Sequence, residues 1–206
     1  MNFIGVYNLP LAVTVAGLFA AVAACIFSFN RMLPGAVICF ILSGLCDLFD
    51  GVVARKTKLS ETEKRFGLYI DSSVDAVSFG MVPVIILLHS GFNQPADHIL
   101  FCFYSFSATM RLAYFNLLQH NSGNGTMRYY TGLPVTYSAL FLPTVLSICT
   151  LTDKATAQLL VRLTIFLLGF FYILKVRIRK PGGIFYIIFP LTGMALIIFW
   201  LGKALK

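Results

Sequence analysis

The feature of this sequence that most constrains its fold is a succession of apolar runs, each about 20 residues long, enough for a helix to cross the roughly 30 Å hydrocarbon core of a bilayer. We predict seven candidate transmembrane helices, at residues 9–29, 33–54, 68–89, 98–118, 132–151, 157–176 and 184–202. The predicted fold class is all-α, a polytopic integral membrane bundle of about six to seven transmembrane helices. We expect residues 1–206 to form a single membrane domain.

The composition excludes a soluble globular domain. Hydrophobic residues make up 58% of the 206 residues and charged residues 12%, whereas a soluble domain carries about 25% charged residues. The net charge of +8 does not indicate nucleic-acid binding, because Lys and Arg lie mostly between the apolar runs. The five cysteines occur singly without a CxxC spacing, so we predict buried small apolar side chains and neither a zinc site nor a redox pair.

The positive charges predict the orientation of the chain in the membrane. Lys and Arg gather after the second, fourth and sixth predicted spans: Arg55, Lys56, Lys58, Lys64, Arg65, Arg128, Lys175, Arg177, Arg179 and Lys180. Because cytoplasmic loops are enriched in these residues, we predict that the N-terminus and the 55–67 loop face the cytoplasm of a multi-pass cell-membrane protein. No basic region precedes the first apolar run, so we expect that run to remain as a span rather than to be a cleaved signal peptide.

Four acidic side chains fall inside or at the ends of two consecutive apolar spans. The chain has eight acidic residues, and these four are Asp47, Asp50, Asp71 and Asp75. A carboxylate at membrane depth is unfavourable unless it is paired or binds a metal, so intramembrane acids indicate function. The spacing of three residues in the first pair and four in the second puts each pair on one helical face. Two facing helices would therefore bring all four carboxylates together.

The residue types around these acids favour a site for a hard divalent cation and a phosphate. Four convergent carboxylates repel one another unless a cation neutralises them, and the absence of His and Cys donors favours Mg²⁺, Mn²⁺ or Ca²⁺. Gly51 and Gly67 would let a ligand approach the backbone, and the Arg55 guanidinium suits a phosphate. The alternative interpretation is that the acids are helix-end residues paired with the basic loop.

The spacing of these residues matches a known signature. The segment reads Asp47-x2-Asp50-Gly51-x2-Ala54-Arg55-x11-Gly67-x3-Asp71-x3-Asp75. It closely resembles the signature of the CDP-alcohol phosphotransferases, although the loop between the Arg and the second Gly is longer here than is usual in that family. The glycines and carboxylates keep the family's spacing.

Residues outside the signature resemble one branch of that family, the integral-membrane phosphatidylserine synthases. The segments that carry this resemblance are Ser78-Phe79-Gly80, the run from Arg111 to Asn116, and Gly132-Leu133-Pro134. Phosphatidylglycerophosphate synthases usually have Pro and Lys where this chain has Ser72 and Ala76. The family often has a second basic residue where this chain has Tyr114.

The resemblance implies a reaction and a role for each matched residue. The phosphatidyl group of CDP-diacylglycerol would pass to the hydroxyl of L-serine, giving phosphatidylserine and CMP with the help of Mn²⁺ or Mg²⁺, as two ions. The implied site residues are Asp47, Asp50, Asp71 and Asp75 for the metal, Asp75 also as the catalytic base, Gly51, Ala54, Arg55 and Gly67 for CDP-diacylglycerol, and Arg111 and Ser78 for serine. The family also implies a homodimer among membrane lipids.

Alternatives to this interpretation remain open from the sequence. The same signature serves enzymes with other acceptors, such as glycerol phosphate or inositol phosphate. Arg111 could pair with an acid of the cluster instead of binding serine. A small cation transporter would also carry intramembrane acids, but these would be distributed along a pathway rather than clustered at one end of two helices.

Overall fold

The computed structural model of the chain is described here for residues 4–121, 129–179 and 185–205. Within these ranges the chain is almost entirely helical, which confirms the predicted all-α membrane class. The helices are α1 (Leu9–Phe29), α2 (Leu33–Lys56), α3 (Glu61–Asp75), α4 (Val82–His89), α5 (Pro95–Asn121), α6 (Ser138–Cys149), α7 (Lys154–Ile173) and α8 (Phe185–Ala204). A π-helical turn (Ala76–Met81) joins α3 to α4, and a 3₁₀ turn (Val135–Tyr137) precedes α6.

Two short strands, β1 (Tyr129–Thr131) and β2 (Arg177–Arg179), were not predicted. They pair in an antiparallel register that sets Tyr129 opposite Arg179. This pairing joins the segment before α6 to the segment after α7, so both connections lie at the same end of the bundle.

Local capping explains where several helices begin. The Asn8 side chain accepts the Leu11 backbone N–H at 3.0 Å at the start of α1. Ser60 and Glu63 form a reciprocal capping box at the start of α3. The first turn of α3 takes up part of the long interval between Arg55 and Gly67. Gly67 and Asp71 both lie within α3, one helical turn apart.

Each predicted membrane span corresponds to a helical segment, although the third begins earlier and the fifth is shorter than predicted. Five helical segments of the described chain are long and apolar enough to cross a membrane: Leu9–Phe29, Leu33–Lys56, Glu61–His89, Lys154–Ile173 and Tyr186–Ala204. The fourth predicted span corresponds to α5, whose 27 residues include Arg111. The fifth corresponds to the shorter apolar helix Val135–Cys149. The chain is therefore a multi-pass membrane protein.

Small residues allow α1 and α2 to pack closely. The buried positions of α1 follow a spacing of three and four residues along one face: Pro10, Thr14, Gly17, Ala21, Ala24 and Ser28. A Cβ atom on Gly17 would lie only 3.0 Å from the Cys46 Cβ on α2. Such seams of small residues permit close backbone approach between helices in lipid. This contact holds the start of α1 against the end of α2, where the acidic residues lie.

The cysteine side chains are less buried than predicted: Cys25, Cys39, Cys46 and Cys149 are only partly buried. All five cysteines are free thiols. Cys102, however, is exposed on α5 rather than buried. The reason is that the outer face of a membrane helix contacts lipid, so a small apolar side chain is tolerated there.

An ion pair between α5 and α7 leads to a stability prediction. The Asp97 side chain is fully buried, and its Oδ1 lies 2.6 Å from Nε of Arg162. Replacing Asp97 with Asn leaves the guanidinium without its charged partner, so we expect the free energy of unfolding to fall by about 2 kcal/mol. Thermal unfolding in detergent measures this loss.

A matched control is the exposed pair between Glu61 and Lys64, whose charged atoms are 2.8 Å apart. Glu61→Gln should leave the unfolding temperature unchanged, because exposed ion pairs contribute little. Equal losses in the two variants would contradict the assignment of Asp97 as a buried structural partner.

Candidate functional site

The structure brings the four intramembrane acids together, two from the end of α2 and two from α3. One carboxylate oxygen from each of Asp47, Asp71 and Asp75 lies within 4.8 Å of the others. The carboxyl group of Asp50 is beside that of Asp71. Asp50 and Asp75 are each only 7% exposed. Asp47 and Asp71 are partly buried. The four acids therefore form one acidic cluster, as helical periodicity predicted.

Two threonines orient the α2 acids from other elements. Thr14 Oγ1 donates to Asp50 Oδ2 at 2.8 Å, and Thr136 Oγ1 donates to Asp47 Oδ2 at 2.8 Å. Each bond occupies one carboxylate oxygen and directs the group. Thr136 was not predicted as a site residue, although it follows the Gly-Leu-Pro segment by two residues. That proximity is the signal that could have identified it.

The donor set of the cluster fits a hard divalent cation. All its ligating atoms are carboxylate oxygens, the preferred partners of Mg²⁺ and Mn²⁺. The ion pairs Glu61 with Lys64 and Asp97 with Arg162 lie outside the cluster. Arg111 acts electrostatically on Asp47 and Asp75. Among the described residues that line the cavity beside the cluster, the four acids outnumber the two arginines, Arg55 and Arg111. This excess of negative charge favours a bound metal ion.

The acidic cluster lies where two cavities meet. The first cavity, of about 300 Å³, is lined by Asp47, Asp75, Arg111, Thr136, Tyr137 and Tyr186, among others. The second cavity, of about 450 Å³, lies between the starts of α1 and α3 and the end of α2. Both are bordered by Asp50, Gly51, Arg55 and Asp71. Two molecules bound in the two cavities would therefore meet at the acids.

The signature glycines border open space rather than packed side chains. A Cβ atom built on Gly67 would meet no atom within 4 Å. One built on Gly51 would meet only Arg55 Nη1, at 3.7 Å. Ala54 and Gly67 both line the second cavity. Packing within the described chain therefore does not require glycine at these positions, which leaves room for a ligand.

Arg55 is held at the boundary between the cavities by a residue from α8. Its Nη2 donates to the Tyr186 hydroxyl at 3.0 Å, and its guanidinium carbon lies 5.4 Å from the centre of the same ring. Tyr186 was not predicted as a site residue. No sequence signal singled it out, because it belongs to a span outside the recognisable motifs.

The position of Arg111 is compatible with binding serine and with pairing with an acid of the cluster. It lies on α5, is 8% exposed, and lines the first cavity. Its guanidinium carbon is 5.1 Å from the Phe115 ring centre. A neighbouring cavity of about 220 Å³ is lined by Arg111, Tyr114 and Lys175, and Lys175 Nζ lies 5.9 Å from the Tyr114 ring centre. Lys175 thus adds a positive charge to this neighbouring cavity and does not line the first one.

The last predicted site residue, Ser78, lies apart from the two cavities. Ser78 is fully buried beneath the acids and is absent from the residues that line the two larger cavities. Two of the basic residues used to predict orientation, Arg128 and Lys180, lie outside the described residues.

Comparisons with known proteins agree with the motifs. The family model described as CDP-alcohol phosphatidyltransferase matches residues 7–201. The chain is 38% identical over 101 residues to the CDP-diacylglycerol–serine O-phosphatidyltransferase of Saccharomyces cerevisiae, covering 47% of this chain and 36% of that protein. It is 29% identical over 135 residues to the protein of that name from Mycobacterium tuberculosis, covering 64% and 46%.

A third relative, of the same name, comes from Methanocaldococcus jannaschii. It is 32% identical over 152 residues, which cover 73% of this chain and 67% of that protein. The chain thus spans less than half the length of the yeast and mycobacterial relatives and two thirds of the archaeal one.

Proposed function

The chain belongs to the CDP-alcohol phosphatidyltransferase family, and on that basis we propose that it transfers the phosphatidyl group of CDP-diacylglycerol to L-serine. The products would be phosphatidylserine and CMP. The observation that carries this proposal is the acidic cluster at the meeting point of two cavities. The names of the relatives, which are serine phosphatidyltransferases, support serine as the acceptor.

The second cavity suits the CDP group of the lipid substrate. Gly51, Ala54 and Gly67 leave space beside the backbone for a nucleotide. Arg55 lies at the boundary of both cavities, where its guanidinium would meet the diphosphate. The acyl chains would remain among the membrane lipids while the head group reaches the acids.

The first cavity suits serine. Free serine carries a carboxylate and an ammonium group, so its site requires charges of both signs. Arg111 would bind the carboxylate, and the nearby acids would favour the ammonium group. This arrangement would present the serine hydroxyl to the acidic cluster.

The proposed reaction is a direct displacement at the β-phosphorus. The serine hydroxyl oxygen forms a bond to the β-phosphorus, and the bond from that phosphorus to the oxygen bridging the two phosphates breaks, so CMP leaves. Asp75 accepts the hydroxyl proton. Asp47, Asp50, Asp71 and Asp75 would hold Mn²⁺ or Mg²⁺, as two ions. Bound divalent cations neutralise the phosphate oxygens and favour in-line displacement.

Orientation and assembly are part of the same proposal. The acids lie near the end of α2, beside a basic segment that begins with Arg55 in the last turn of that helix and continues into the loop before α3. Because basic loops are retained in the cytoplasm, the site would face the cytoplasm and receive soluble serine from there. By family resemblance, the chain would act as a homodimer in the cell membrane.

The purified chain in lipid nanodiscs provides the test of this function. We expect CMP release from CDP-diacylglycerol in the presence of Mn²⁺ or Mg²⁺ to require L-serine, and the lipid product to be phosphatidylserine by mass spectrometry. A chelator should abolish the release. Release stimulated by glycerol 3-phosphate or inositol phosphate instead would overturn serine as the acceptor. No release with any acceptor would direct attention to cation transport.

The open space at Gly67 gives a prediction that separates function from stability. Gly67→Ala should raise the KM for CDP-diacylglycerol about 10-fold, because the added methyl group occupies the second cavity. The same change should keep or raise the unfolding temperature, since alanine favours a helix over glycine.

Gly202→Ala is the matched control for this variant. Gly202 also lies in a helix, and a Cβ atom there would meet no atom within 4 Å. This control should leave the KM unchanged. Equal KM values for the Gly67 variant and the wild type would argue against nucleotide binding in the second cavity.

A further inference from the structure

Ser78 is a buried polar side chain that the proposed reaction does not use. It lies in the π-helical turn Ala76–Met81, three residues after Asp75, and is fully buried. Its Oγ forms no hydrogen bond with any of the described residues. A buried hydroxyl without a partner is unfavourable, so such a group in a native structure calls for a bound molecule or a functional reason.

A small cavity lies between Ser78 and the acidic cluster. Its volume is about 10 Å³, and it is lined by Thr14, Ser43, Ser78 and all four acids, among others. This is close to the smallest cavity that holds one water molecule, and a buried water needs two to four polar partners. The polar lining of this cavity meets that requirement.

The π-helical turn keeps Ser78 at this position. Tyr104 donates its hydroxyl hydrogen to the Phe79 carbonyl at 2.6 Å. Ser105 Oγ donates to the Gly80 carbonyl at 2.9 Å. These two bonds from α5 satisfy two consecutive carbonyls of the turn, those of the two residues that follow Ser78. π-helical turns are often found at functional sites, and this one directly follows Asp75.

We propose that Ser78 is a positioning residue that binds one buried water beneath the acidic cluster. The Ser78 hydroxyl donates to the water, and the water donates its two hydrogens to carboxylate oxygens that face away from the larger cavities. Ionised carboxylates only accept hydrogen bonds, so they cannot orient one another, whereas a water can bridge them. The bridge would hold Asp47 and Asp75 in the orientation that binds the cation. This inference rests on the proposed use of the cluster as a metal site.

The test measures metal binding without either substrate. Mn²⁺ is titrated into the purified full chain, and free Mn²⁺ is followed by electron paramagnetic resonance. Ser78→Ala should weaken Mn²⁺ binding about 10-fold, because removing groups that orient metal ligands typically has this effect. The unfolding temperature in chelator should not fall, since the variant removes a hydroxyl without a direct protein partner.

Ser107→Ala is the matched control. Ser107 is also fully buried, but its Oγ donates to the Phe103 carbonyl of its own helix at 2.7 Å. This variant should bind Mn²⁺ as the wild type does. Mn²⁺ affinity within twofold of the wild type in Ser78→Ala would overturn the proposal, as would equal weakening in both variants.

A second measurement applies if Ser78→Ala does not fold. An experimental map of the wild-type chain should show one ordered water within hydrogen-bond distance of Ser78 Oγ, and a dry cavity would refute the proposal. Neither measurement depends on the acceptor. A chain that binds Mn²⁺ as expected but does not use serine would therefore contradict the proposed function while leaving the role of Ser78 intact.

Discussion

Asp75→Asn is expected to lower the rate of CMP release about 1,000-fold. Asparagine has nearly the same shape as aspartate, but it cannot accept the serine proton and is a weaker ligand for a divalent cation. Loss of a general base alone typically lowers a rate by about 10² to 10⁴-fold. Asp75 is buried, and its carboxylate groups with those of Asp47 and Asp71. The expected loss therefore combines proton transfer with metal binding.

The measurement is the initial rate of CMP formation with CDP-diacylglycerol and serine both saturating. Asp153→Asn is the control, because Asp153 caps α7 by accepting the Thr156 backbone N–H at 3.0 Å and asparagine also caps helices. That variant should retain wild-type activity. If Asp75→Asn kept more than a tenth of the activity, Asp75 would not be the catalytic base.

Arg111→Gln is expected to raise the KM for serine about 100-fold. A hydrogen bond to a charged group contributes about 1.5–3 kcal/mol, which corresponds to roughly 10 to 150-fold in affinity. The nearly complete burial of Arg111 places its contribution toward the upper end of that range. Steady-state CMP release at varied serine concentrations measures the change.

Mn²⁺ affinity distinguishes the two roles considered for Arg111. If Arg111 binds serine, Mn²⁺ binding without substrate should change little. If Arg111 serves mainly to neutralise Asp47 and Asp75, removing its charge should tighten Mn²⁺ binding and leave the serine KM nearly constant. Lys175→Gln is the control, because Lys175 lines the neighbouring cavity but is absent from the lining of the first one. Its serine KM should stay within about threefold of the wild type, well below one tenfold step in affinity.

Properties that depend on short stretches of sequence could be predicted well. The first predicted span, 9–29, coincides with α1, and the predicted spans begin and end within a few residues of the observed helices, apart from the third and fifth. The third begins earlier, at Glu61, because the capping box of Ser60 and Glu63 extends it through a polar turn. The fifth is shorter than predicted, because its helical structure starts only with the 3₁₀ turn at Val135, which leads into α6.

The partners of the acids could not be predicted in the same way. Thr14 and Asp50 are 36 residues apart in sequence, Thr136 and Asp47 are 89 apart, and Arg55 and Tyr186 are 131 apart. No periodic pattern connects residues at such separations. These pairs depend on which helices become neighbours in the bundle.

The sequence determined the membrane class, the approximate spans and the grouping of the acids in pairs on two helical faces. These follow from apolar run length and the 3.6-residue helical period, which are local properties. The tertiary structure decided which hydroxyls orient the acids, how two cavities meet at them and how deeply Ser78 lies. Those features arise from the packing of helices distant in sequence, where the shapes of many side chains act together.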